Sequence, residues 1–159
     1  MKKVISFALI LIILFACMHS TTYAEGEDRE ENTTNPELVS FEFIIIEDTE
    51  TIPSRANTSL PFTNLLKNHA KRSSSTYYIV SGTDRLKVNS LTWSPSGQDI
   101  SVAFINAQTG NTYAVGYSGG SIANSIIGTS TMPSGEYYVA IVNYDGPNAI
   151  SGALSYSFI

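Results

Sequence analysis

An all-β antiparallel sandwich, jelly-roll-like and of about seven strands, is the fold this sequence predicts, and three observations predict it. Over residues 75–159, short runs rich in Val, Ile, Tyr and Phe recur between Gly, Pro, Asn and Asp clusters at even intervals. Several of those runs alternate apolar and polar residues with the period of two that a half-buried strand requires. One run, GEYYVAIVNYD at Gly135–Asp145, is apolar on nearly both faces, which suits a central strand better than an edge strand.

In chain order, residues 1–24 read as a secretory signal peptide. Lys2 and Lys3 precede an apolar run, Val4 to Phe15, and small polar residues lead to Ala24, where cleavage is expected. The run is shorter than the roughly 20 residues that span a bilayer, so no transmembrane segment is expected after the leader is removed. The reading places the protein outside the cell. Leu14-Phe15-Ala16-Cys17 offers an alternative, a lipid anchor at Cys17, although the bulky Phe15 departs from that pattern. Cys17 is the one cysteine in the sequence, so cleavage after Ala24 leaves no disulfide and no thiolate ligand.

Residues 25–72 form an acidic and then basic segment. Ten carboxylates and one Arg lie between Glu25 and Glu50, whereas Arg55, Lys67, Lys71 and Arg72 follow with no acid between Ile52 and Arg72. Residues 25–36 are polar without periodicity and read as disordered. LVSFEFIII at 38–46 has strand character and is of the kind that self-associates when exposed. Phe62, Leu65, Leu66 and His69 fall at helical spacing after Pro61, which predicts a short helix over 61–71. Lys71-Arg72 precedes a Ser-rich stretch and reads either as a processing site or as a solvated helix end.

The sandwich module is expected over 73–159, with strands at Tyr77–Ser81, Leu86–Trp93, Ile100–Asn106, Thr112–Tyr117, Ile122–Thr129, Tyr137–Tyr144 and Ile150–Phe158. In the last of these Ile150, Gly152, Leu154, Tyr156 and Phe158 share one face. Ile100, Val102 and Phe104 face inward in the third, and Leu86 and Val88 in the second. That last register turns Leu91 and Trp93 outward unless a bulge near Ser90 restores them.

Pro133-Ser134-Gly135-Glu136-Tyr137-Tyr138-Val139, with Ile141, Asn143 and Ser151-Gly152-Ala153-Leu154-Ser155-Tyr156, resembles the end of bacterial pre-peptidase C-terminal-type domains, over residues 133–156. The resemblance implies a small secreted jelly roll serving as an accessory or binding module. The chain departs from that family in lacking an attached catalytic domain and the acidic loop cluster of its calcium-binding members.

The inventory for chemistry is short. After the leader, His69 is the one histidine, so a Ser–His arrangement has a single base to draw on. The module acids Asp84, Asp99, Glu136 and Asp145 stand at strand ends or turns. No catalytic residue, metal site or cofactor is expected, and the protein reads as no enzyme. A formal net charge of −5 argues against nucleic acid as partner. Aromatics remain: Trp93, Tyr113, Tyr117, Tyr138 and Tyr144 are the candidate contact residues for a cell-wall polysaccharide or a surface protein. Two functions follow. One is a non-catalytic binding or structural module of the cell surface or extracellular matrix. The other is a secreted effector or antagonistic protein released from a pro-segment at Lys71-Arg72.

Overall fold

The computed structural model describes residues 33–40, 42–47, 57–144 and 146–159. The leader expected over 1–24, with Ala24 and Cys17, lies outside them. Among the described residues there is no helix and there are twelve strands. These are β1 (Thr33–Thr34), β2 (Glu37–Val39), β3 (Ile44–Glu47), β4 (Thr58–Leu65), β5 (His69–Arg72), β6 (Tyr77–Ile79), β7 (Leu86–Ser94), β8 (Ile100–Asn106), β9 (Thr112–Tyr117), β10 (Ser121–Ile127), β11 (Gly135–Asn143) and β12 (Ile150–Phe158). They form two packed sheets. One runs β1-β10-β7-β12-β4; the other runs β2-β9-β8-β11-β5-β3, with β6 also on β11.

The central strand is β11. It pairs with β8 along one edge, and with β6 and then β5 along the other. Ser73 fills the gap between β5 and β6: its amide donates to the Val139 carbonyl at 2.8 Å and its Oγ accepts from the Val139 amide at 3.1 Å. Tyr137, Val139 and Ile141 point into the space between the sheets, where they meet Val102 and Phe104 of β8 and Leu91, Leu154 and Tyr156 of the facing sheet. Tyr77 and Tyr156 pack edge to face and share a hydroxyl–hydroxyl hydrogen bond of 3.1 Å, which satisfies both polar ends inside the core.

The bulge near Ser90 is present. Ser155 pairs with Ser90 but Tyr156 pairs with Val88, so Asn89 is the extra residue. Beyond it the parity of β7 is reset, and Leu91 and Trp93 are buried. On the neighbouring strand Asn124, with φ of 54°, lies beside this bulge, a conformation that Asn tolerates better than most residues. In β12, Gly152 lets two strands and a ring meet: a Cβ there would run into the Thr92 carbonyl and the Phe62 ring.

Three expectations are corrected. Residues 61–71 form no helix; they lie in β4, a three-residue connection (Leu66, Lys67 and Asn68) and β5. Thr58, Leu60 and Phe62 are buried at strand spacing, and a bulge at Thr63–Asn64, with Asn64 at φ of 51°, brings Leu65 back inward. The helical spacing of Phe62 and Leu65 comes from that bulge. Pro61 is tolerated because β4 is an edge strand. The sandwich does not begin at Ser73: β4 supplies Leu60, Phe62 and Leu65 to the core, and β5 completes the ladder on β11. Finally, 38–46 is not one strand. It divides into β2 and β3, which pair at opposite edges of the same sheet.

Candidate functional site

The outer face of the β8–β11 sheet is built from small residues. Ala103, Ala140 and Ala70 alternate with Ile105 and Val142, and all five are buried. What buries them is the N-terminal segment. β2 lies antiparallel to β9 at one edge of this sheet and β3 parallel to β5 at the other, and Ser40, Glu42 and Phe43 lie between them over the sheet. Phe43 rests on the alanine floor between those two pairings, beside Tyr138 and Ala114. A floor of methyl groups leaves room for one aromatic ring where larger side chains would collide with it.

The crossing segment leaves a groove on each side. The larger, about 550 Å3, is bounded by Arg72, Tyr138, Ile105 and the Ala107–Thr112 turn. The other, about 340 Å3, lies between Leu38, Ala114, Gly116, Val142 and Tyr144. In the larger groove the Arg72 guanidinium carbon lies 3.9 Å from the centroid of the Tyr138 ring, a cation–π contact. Arg72 Nη2 also forms an ion pair with Glu47, and Lys71 Nζ donates to the Glu47 carbonyl at 2.8 Å. Arg72 Nε is buried and has no hydrogen-bond partner among the described residues. Across the crossing segment, Tyr144 meets Phe43 edge to face, with centroids 6.2 Å apart.

Of the five aromatics singled out from sequence, this face gathers two, Tyr138 and Tyr144. The outward parity of both is confirmed. Trp93 is core, its indole N–H donating to the Gln98 carbonyl at 2.6 Å. Tyr113 is also buried, packed edge to face on Tyr137. Tyr117 shares the inward parity of Tyr113 and Val115, and its hydroxyl bonds Ser125 at 3.1 Å. Burial holds its pKa above the usual tyrosine value, and the Ser125 bond opposes that rise. Trp93 and Tyr113 are therefore corrected to core residues, whereas Tyr117 is half-buried and lines a separate groove with Asp99, Ser118 and Tyr144.

Lys71 and Arg72 do not stand in a linker. They lie in β5 between β11 and β3, and a cut after Arg72 would detach the β4 core residues from the rest of the chain. His69 is in the sandwich as well, donating Nδ1–H to the Lys67 carbonyl at 2.9 Å. Asp84 is a turn residue, as its position between strands implies: its Oδ2 accepts from the Val80 amide at 2.7 Å. Among the described residues no three His, Cys, Asp or Glu side chains come together, and no helix is long and apolar enough to cross a membrane.

Phe43, Glu47 and the role of Arg72 were missed from sequence. A signal existed: β8 and β11 are apolar on both faces, so something other than the partner sheet has to cover the second one. No family model, curated protein or solved structure matches the chain.

Proposed function

We propose that the protein is an exported, non-catalytic binding module whose working surface is the outer face of the β8–β11 sheet. The observation that carries this is the grouping of Tyr138, Arg72, Phe43 and Tyr144 around two grooves on one face, while Trp93 and Tyr113 pack inside. Rigid aromatic rings give large contact area at little conformational cost, and a stacked guanidinium adds charge and directed donors. Grooves of this size next to polar turn residues suit a hydroxyl-rich polymer such as a cell-wall polysaccharide. The absence of catalysis rests on the sequence inventory, which provides one histidine and no cysteine after the leader. The leader reading and the resemblance to pre-peptidase C-terminal-type domains support an extracellular setting.

The test is retention on insoluble cell-wall polysaccharide. Wild-type protein is expected to be retained, and Tyr138→Ser with Tyr144→Ser is expected to pass through while still unfolding in one cooperative transition. Equal retention of wild type and the folded double variant would overturn the proposal.

A further inference from the structure

Gly116 stands inside β9 for no reason that the fold supplies. Its φ is not in the left-handed region, and it pairs with Ser101 in unbroken register, so no turn or bulge requires it. A Cβ there would meet a single atom, Ser101 Oγ at 4.0 Å, whereas one at Gly152 would strike the backbone of the next strand. Glycine weakens a strand, and where neither a bend nor a neighbour needs it, it marks a place that a ligand can approach closely. The space above Gly116 is where two grooves of the outer face meet. Ser101, Gly116 and Tyr144 line both the groove beside Leu38 and a further one, about 360 Å3, that runs on to Asp99 and Ser118. Tyr144, 41% exposed and braced edge to face by Phe43, is the aromatic wall of both. The charge along this trough has one sign. Glu37 lines one end and Asp99 the other, both exposed and neither in an ion pair among the described residues. No Lys or Arg among the described residues lines either groove.

We infer that the trough over Gly116 is a pyranose subsite for an amino sugar with a free ammonium group, a glucosamine unit of a polysaccharide. This inference rests on the binding-module reading and specifies the chemistry of its ligand. Gly116 is the floor that lets the ring sit close to the sheet, and Tyr144 is the wall on which an apolar ring face packs. The Asp99 carboxylate accepts from the ammonium in a charge-assisted hydrogen bond, and Ser101 and Ser118 face the sugar hydroxyls. An acid at each end of the trough repels an anionic sugar and attracts a cationic one. The chain's net charge of −5 adds long-range attraction for a polymer that carries many amines.

Calorimetric titration of the full chain with a glucosamine tetramer and with its fully N-acetylated counterpart tests this, in mildly acidic buffer where the amines are charged. The glucosamine tetramer is expected to bind about tenfold more tightly, the scale of one hydrogen bond between charged groups. Asp99→Asn is expected to erase that preference and leave the N-acetylated tetramer unchanged. Gly116→Val fills the floor and is expected to weaken the glucosamine tetramer about tenfold or more, the scale of an overfilled contact. The same variant is expected to unfold at the wild-type urea midpoint or above it, because a β-branched residue suits a strand and meets no obstacle there. Its loss of binding is then steric and not a loss of fold. Equal affinity for the two tetramers, or wild-type binding by Gly116→Val, overturns the subsite. Either result leaves the binding-module reading standing, because that reading is decided by retention on cell-wall material. Tetralysine binding as tightly as the glucosamine tetramer would also overturn the sugar assignment, since the trough would then hold a basic peptide.

Discussion

The two faces of β8 and β11 are both buried, but they are buried by different things. Inward, Val102, Phe104, Tyr137, Val139 and Ile141 meet an entire opposing sheet. Outward, Ala103, Ala140, Ile105 and Val142 meet one short crossing segment and the ring of Phe43. Large side chains interlocked across two sheets give a close-packed core in which each methylene is felt. Small side chains under a narrow cover leave grooves on both sides of it. The contrast separates two tasks within a single pair of strands: stability is concentrated on the inner face, and the surface available for contact lies on the outer one.

The comparison can be broken at several points. The largest effect is expected from removing residues 1–72. The remaining fragment lacks β4 and β5, and with them Leu60, Phe62 and Leu65, each worth about 1.5–3 kcal/mol of burial. Against a total stability of about 5–15 kcal/mol this is enough to unfold it. Urea titration followed by circular dichroism is expected to show no cooperative transition; a sharp one would mean that the sheets close without those strands.

Next comes Ile141→Ala on the inner face, which is expected to cost about 2–5 kcal/mol, the range for truncating a fully buried aliphatic side chain. Gly152→Ala is expected to cost about 1–3 kcal/mol by forcing β12 away from β7 and Phe62. Phe43→Ala on the outer face should cost least, about 1–2 kcal/mol, because its ring is only half-buried. Urea midpoints for the three variants give the order directly. A Phe43→Ala loss as large as that of Ile141→Ala would erase the distinction between the faces.

The part of the molecule legible in the sequence is the part whose strands keep strict alternation. Ile100–Asn106, Thr112–Tyr117 and Ile150–Phe158 have the bounds that their apolar–polar pattern and turn residues imply. Legibility fails where a bulge shifts the count. Asn89 hides the inward turn of Trp93, and Asn64 makes a strand with Phe62 and Leu65 resemble one face of a helix. At the candidate site, parity correctly placed Tyr138 and Tyr144, which share a strand region with Val139 and Ile141. The same parity applied to β9 puts Tyr113 and Tyr117 inward beside Val115, so alternation argued against them from the start. Phe43 and Glu47 carried no local sign. Their positions depend on β2 and β3 pairing with strands far along the chain, at two opposite edges of one sheet, and no short window of sequence contains that information.

The most direct measurement of the central claim reads individual tyrosine rings during binding. In protein labelled on its tyrosine rings and titrated with solubilised cell-wall polysaccharide, the NMR signals of Tyr138 and Tyr144 are expected to shift in proportion to bound ligand. Those of Tyr137 and Tyr156, enclosed between the sheets, are expected to stay in place. Saturable binding that shifts other tyrosines and leaves Tyr138 and Tyr144 unmoved would contradict the assignment of the outer face as the working surface.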